Sequence, residues 1–211
     1  MKVVIQCAAS KSAEAGYLRD AKGNNVCFVA EPALAPKGTD FVYARPDDLN
    51  GAATWRQQLL SYNQRKSNPF GLLPAWRLYR NEAYGLLVSK LGVDNVFILS
   101  AGWGLLRADF LTPCYDITFS NQADDYKKRR NRMTFRDFNQ MPDSTDEVLF
   151  FGGKDYLPLF LQLTSAHSGK RVVYYNSAHA PEAPGCKLEH YITRTRTNWH
   201  YECVKKVVGL H

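Results

Sequence analysis

The chain has 211 residues, 45% hydrophobic and 22% charged, which suffices for one sizeable core and demands no second domain. No apolar run approaches the ~20 residues that span a bilayer, and the opening MKVVIQCAASK lacks the apolar length of a signal peptide, so a cytoplasmic protein without membrane contact is expected. Five cysteines with no Cys-x-x-Cys pair suggest neither a zinc site nor a disulfide framework, while a net charge of +7 points to an acidic partner.

Taken in chain order, Lys2 to Gln6 reads as a first strand, closed by a small-residue turn that carries Ser10 and Lys11. A Gly/Asn/Pro-rich stretch to Gly51 follows, in which Phe28 to Ala30 and Phe41 to Tyr43 form a short pairing. Thr54 caps a helix running to Asn63, and Leu78, Ala83, Leu86, Leu87 and Leu91 predict one helix over Ala75 to Leu91. Val96 to Leu99 is a buried strand leading into a turn loosened by Gly102 and Gly104. The cation-rich segment Tyr126 to Phe138 is expected to be a helix. Glu147 to Phe151 is a strand, Tyr156 to Leu163 a helix, Arg171 to Tyr175 a strand, and Asn198 to Val208 a closing helix after an irregular tail. The order gives one α/β domain with a central mixed sheet, site loops at the carboxyl ends of its strands, and flanking helices.

The run VFILSAGWGLLRADFLTPCYDITF, Val96 to Phe119, concentrates aromatic and charged side chains just past a strand end, where ligands bind in open α/β sheets. It resembles the Leu-Ser-Gly-x-Tyr-Gly-Leu-Leu-Arg-Pro-x-Asp run followed by Pro-Tyr of the YaaA-like family, bacterial proteins linked to peroxide stress and DNA binding. The matching residues are Leu99, Ser100, Gly104, Leu105, Leu106, Arg107, Pro113 and Tyr115, with Trp103 at the usual tyrosine and Cys114 inserted between Pro113 and Tyr115. The Ser10-Lys11 turn and FFGGKDYLPLF, Phe150 to Phe160, are similar to two further patches of that family. Its helix-hairpin-helix-like element is not recognisable here, unless FGLLPAW, Phe70 to Trp76, is a degenerate form of it. The resemblance implies a common fold and a nucleic-acid-related role.

Three strand ends, after Val4, Leu99 and Phe150, are expected to converge on one pocket suited to a flipped base. Trp103, Tyr115 and Phe119 would stack the base. Asp116 or Asp109 would activate water or stabilise an oxocarbenium-like sugar. Lys11, Arg107 and Lys154 would hold flanking phosphates, with Ser10 and Asp155 beside them. Lys11 is equally open to a covalent role as an amine nucleophile. Lys127, Lys128, Arg129, Arg130, Arg132 and Arg136 would form a cationic ridge against DNA. The reading is a DNA N-glycosylase that leaves an abasic site and needs no cofactor or metal. A DNA-binding stress protein without catalysis and an enzyme of free nucleosides or nucleotides are the alternatives.

Overall fold

Val3, Val4 and Ile5 are fully buried, so β1 (Lys2–Gln6) is covered on both faces, as an apolar run in a parallel sheet must be. The fold is that of a computed structural model, which describes residues 1–130 and 133–210. Past the β1 turn, β2 (Asn25–Phe28) pairs in parallel with β3 (Phe41–Ala44). A minimal antiparallel pair, β4 (Leu49–Asn50) with β5 (Ala53–Thr54), delivers the cap of α1 (Trp55–Asn63). There the Thr54 hydroxyl accepts from Gln57 N at 3.2 Å and the Gln57 side chain accepts from Thr54 N at 2.8 Å, a reciprocal capping box.

After β6 (Leu73–Pro74), the expected helix over Ala75 to Leu91 is two helices, α2 (Ala75–Leu78) and α3 (Glu82–Leu91). The break has a physical cause. Tyr79 is extended and bridges Lys11, Ser12 N donates to Leu78 O at 2.8 Å, and Arg80 N donates to Ser10 O at 3.1 Å. Asn81 then restarts the helix by accepting from Ala83 N at 2.9 Å. The backbone groups that a continuous helix would consume hold the β1 turn instead.

The strand β7 (Val96–Ser100) leads through a tight turn into β8 (Gly104–Arg107), which returns antiparallel. Gly104 stands at φ +92°, and a Cβ there would meet Phe138 O at 2.4 Å, so only glycine fits the reversal. Next come β9 (Leu111–Thr112), which pairs with β6, β10 (Phe138–Asn139), β11 (Val148–Phe151), α4 (Leu157–Leu163), β12 (Arg171–Tyr175), β13 (Cys186–His190) and α5 (Trp199–Val208). The segment between Tyr175 and Asn198, expected to be irregular, thus supplies an edge strand.

The main sheet has the order β10-β8-β7-β1-β11-β12-β13, parallel except at the β7–β8 hairpin. Alternate residues divide its core. Val3, Ile5, Ile98 and Phe151 pack with Ala83, Leu87, Cys203 and Val204 of α3 and α5, whereas Val4, Phe97, Leu99 and Phe150 pack with Leu157 and Phe160 of α4. From β1 the chain crosses to β7 on one side and later to β11 on the other. The switch between these two directions falls beside β1, and a crevice opens there at the carboxyl ends of the strands.

Candidate functional site

The floor of the crevice is a set of buried hydroxyls around Cys7, the first residue beyond β1. Its sulfur lies 3.2 Å from the Tyr156 hydroxyl and 3.5 Å from that of Tyr115. The Tyr115 hydroxyl also meets Tyr79 at 2.9 Å and receives the Ser100 hydroxyl at 2.8 Å, while Ser100 Oγ accepts from Gly102 N and Trp103 N. Nearby, Tyr84 donates to Gln6 O at 2.8 Å and meets Tyr201 at 2.9 Å, and Gln6 Oε1 accepts from Gly153 N at 2.6 Å. Burial pushes the phenols of Tyr79, Tyr84, Tyr115 and Tyr156 well above the ordinary tyrosine value, so they stay neutral hydrogen-bonding groups. This network ties the β1 loop to the turn after β11 and to α3 and α5.

On that floor, Lys11 and Asp116 line one hollow of about 330 Å³. The Lys11 ammonium lies 4.3 Å from the Tyr115 ring centre, and Lys127 Nζ is 3.0 Å from the Asp116 carboxylate. Asp124 and Asp116 together hold the Lys127 ammonium above the usual lysine range. Around the hollow stand Tyr17, Phe41, Tyr43 and Tyr126, with centroid separations along the row of 5.1, 6.5 and 6.1 Å. All four are partly exposed. Such a wall offers aromatic surface to a planar ligand beside one cation and one carboxylate.

A second hollow of about 290 Å³, again lined by Lys11 and Asp116, shares Cys7, Thr118 and Tyr156 with a larger cleft. That cleft measures about 640 Å³ and takes in Ser10, Asp155, Arg80, Arg196 and the start of α5. Lys154 and Asp155 line two further hollows, of about 250 and 390 Å³. The polar turns after β1 and β11 therefore meet in one chain of cavities, yet Lys154 lies in different compartments from Lys11 and Asp116.

Several expected contributions differ in the structure. Trp103 is fully buried, edge-on to Phe28 at 5.0 Å and stacked on Phe138 at 6.4 Å, so it presents no face to a ligand. Tyr115 is equally enclosed and acts through the floor network. Phe119 borders the 390 Å³ hollow, packed edge-on against Tyr156 at 4.9 Å. Arg107 and Asp109 pair with each other at 2.7 Å at the far rim of the sheet. The hairpin carries them there, since Arg107 lies opposite Phe97, near the amino end of β7.

Among its described residues the cationic segment is not a helix: after a single 3-10 turn at Asp125–Lys127, Lys128 and Arg129 run beside Thr118, with Thr118 N donating to Lys127 O at 2.9 Å and Arg129 N to Thr118 O at 2.8 Å. Extended pairing turns Arg129 inward, where it is 8% exposed, meets Asp137 at 2.8 Å and donates to Ala101 O at 2.9 Å. It is an internal clamp and not part of an exposed cationic ridge, and it reaches the 390 Å³ hollow as a buried wall residue. Lys128 and Arg130 pair with Asp125 at 3.1 and 3.4 Å and face the 390 Å³ hollow with Lys154. Arg136 is exposed, its backbone amide bound to Asp47. The contact expected of Arg132 lies outside the described residues.

The aromatic row is what sequence reasoning missed. Tyr17, Phe41 and Tyr43 come from the region read as turn-rich, although the i, i+2 spacing of Phe41 and Tyr43 in an extended run puts both on one face. Among the described residues no three His, Cys, Asp or Glu side chains gather as a metal site requires, and no helix is long and apolar enough to cross a membrane. Comparison of the chain with models of known families, with characterised proteins and with solved structures finds no match.

Proposed function

We propose that the protein hydrolyses the N-glycosidic bond of a base in DNA, with the base in the aromatic hollow and the reacting sugar carbon between Asp116 and Lys11. The observation that carries this reading is the meeting of that carboxylate and that ammonium in a hollow walled by four aromatic rings. Asp116, beside Lys127, serves as the base. It takes a proton from water as the water oxygen bonds to the anomeric carbon. The C–N bond breaks with its electron pair going to the base nitrogen, which takes a proton from the Lys11 ammonium. The neutral amine of Lys11 and the protonated Asp116 then exchange protons with solvent, and an abasic sugar is left. The likeness of the Ser10-Lys11 turn and the Val96 to Phe119 run to the YaaA-like family agrees with a nucleic-acid substrate. All five cysteines are free thiols, which agrees with a cytoplasmic setting.

The test is incubation with DNAs bearing normal and modified bases, followed by alkali to cut at abasic sites. Cleavage at one class of base is expected, and intact DNA across the whole panel would end the reading. The pairing of Lys128 and Arg130 with Asp125 and the burial of Arg129 favour, as a second reading, a free nucleotide as substrate. The same assay run on mononucleotides, with release of free base as readout, separates the two.

A further inference from the structure

The 640 Å³ cleft has features that base removal alone does not use. Arg80, in the break between α2 and α3, and Arg196, just ahead of α5, both line it, are exposed, and make no ion pair among the described residues. Asn198 stands at φ +61° before α5 and gives no side-chain cap, so the first-turn amides of this ten-residue helix lack a side-chain acceptor. Independently, His200 is 3% exposed, lines the same cleft, and leaves Nε2 without a hydrogen-bond partner among the described residues. A buried polar atom in that condition is costly unless a ligand satisfies it.

The carboxylates nearby do not fill the role of an internal partner. Glu202, in the first turn of α5, is engaged by the hydroxyls of Tyr191 at 2.8 Å, Thr195 at 2.9 Å and Thr193 at 3.1 Å, which fixes the segment that carries Arg196. Asp155 is the acidic residue on the cleft wall. Two arginines, helix amides and a buried imidazole nitrogen around a polar cavity are the chemistry that receives a phosphate.

We infer that the cleft binds a phosphate group, through Arg80, Arg196 and the first turn of α5, with His200 as the buried hydrogen-bonding partner. The inference deepens the reading above and rests on it for the substrate class: the phosphate is that of the nucleotide whose base enters the aromatic hollow, which the cleft reaches past Cys7 and Tyr156.

The test is calorimetric titration at fixed ionic strength with inorganic phosphate, a nucleoside 5′-monophosphate and a short single-stranded oligonucleotide. It compares the wild type with Arg80→Ala, Arg196→Ala, Arg196→Lys and the control Lys66→Ala, which removes one charge at an exposed site outside the cleft. Both alanine variants are expected to bind phosphate and mononucleotide about tenfold more weakly or worse, the size of one lost charge-assisted hydrogen bond, with Lys66→Ala unchanged and Arg196→Lys between them. Thermal melts check that each variant is folded. If oligonucleotide affinity falls in parallel, the phosphate belongs to a strand. If only the small ligands respond, it belongs to a free nucleotide, and the phosphate site stands in both cases. No phosphate binding by the wild type at millimolar concentration, or an equal loss in Lys66→Ala, would overturn it. Phosphate binding without any abasic product would instead fail the glycosidic reading and leave this site intact.

Discussion

At the scale of single residues, Asp116 and Arg129 show how partners decide what a charge does. Asp116 has an exposed side next to Lys11 and a cation at 3.0 Å, so it is available to a ligand. Asp116→Asn is expected to reduce base release by about a hundredfold or more while leaving DNA affinity equal or higher, because a negative charge facing phosphate is gone. Abasic-site formation at the wild-type rate in that variant would remove Asp116 from the chemistry. Arg129 has its guanidinium enclosed with Asp137, so Arg129→Ala strands a buried carboxylate and should cost about 3 kcal/mol or more in urea unfolding. A variant as stable as the wild type would contradict the clamp. His200 makes a pH-dependent contribution. Burial lowers its pKa to about 4, so between that value and the ordinary one near 6.5 the unfolded chain binds the extra proton. Stability from this group is complete above about pH 6.5 and falls as pH drops towards 4. His200→Gln should flatten that part of the stability–pH curve, as followed by denaturant midpoints; a slope equal to the wild type would show that His200 does not titrate this way.

At the scale of elements, what was legible in the sequence is what local pattern controls. The apolar runs at Lys2–Gln6, Val96–Ser100 and Val148–Phe151 are too short for a buried helix and form strands covered on both faces, and Thr54 caps α1 through its own side chain. The missed features all answer to partners far along the chain. The run from Ala75 to Leu91 has helical spacing, yet the β1 turn takes Leu78 O and Arg80 N across more than sixty residues. Asp137 and the Ala101 carbonyl draw Arg129 inward and forbid the basic helix. Trp103, expected to stack a base, is a core residue because the assembled hairpin encloses it between Phe28 and Phe138. Lys11 and Asp116 were nameable from their motifs, whereas the rings around them arrive from the loop ahead of β2 (Tyr17), from β3 (Phe41 and Tyr43) and from the 3-10 turn at Asp125–Lys127 (Tyr126). Asn81 tests the element-level account, because its side chain restarts α3 beside the β1 turn. Asn81→Ala should lower stability by about 1 kcal/mol, read from the urea midpoint. An unchanged midpoint would mean that the restart does not depend on the cap.

At the scale of the whole molecule, a net charge of +7 becomes useful only where cations remain on the surface of the cavities. Arg129 is spent inside, and Lys127 is shared between Asp116 and Asp124. Lys128, Arg130 and Lys154 gather on the 390 Å³ hollow next to the turn after β11, where Asp155 shares the lining and Asp125 pairs with Lys128 and Arg130. A strand whose base enters the aromatic hollow and whose phosphate lies at Arg80 and Arg196 would have this hollow as a further phosphate station. Each phosphate contact made by a cation steepens the dependence of affinity on salt, by about 0.7 in log–log slope for a single strand. Replacing Lys128, Arg130 and Lys154 by alanine should therefore weaken single-strand binding and reduce that slope by about one to two units, since the aspartates already claim part of the charge. The measurement is affinity against salt concentration by fluorescence anisotropy for the triple variant and the wild type. Parallel salt lines for the two proteins would confine nucleic-acid contact to the cleft and the aromatic hollow, and would favour the free nucleotide as the ligand.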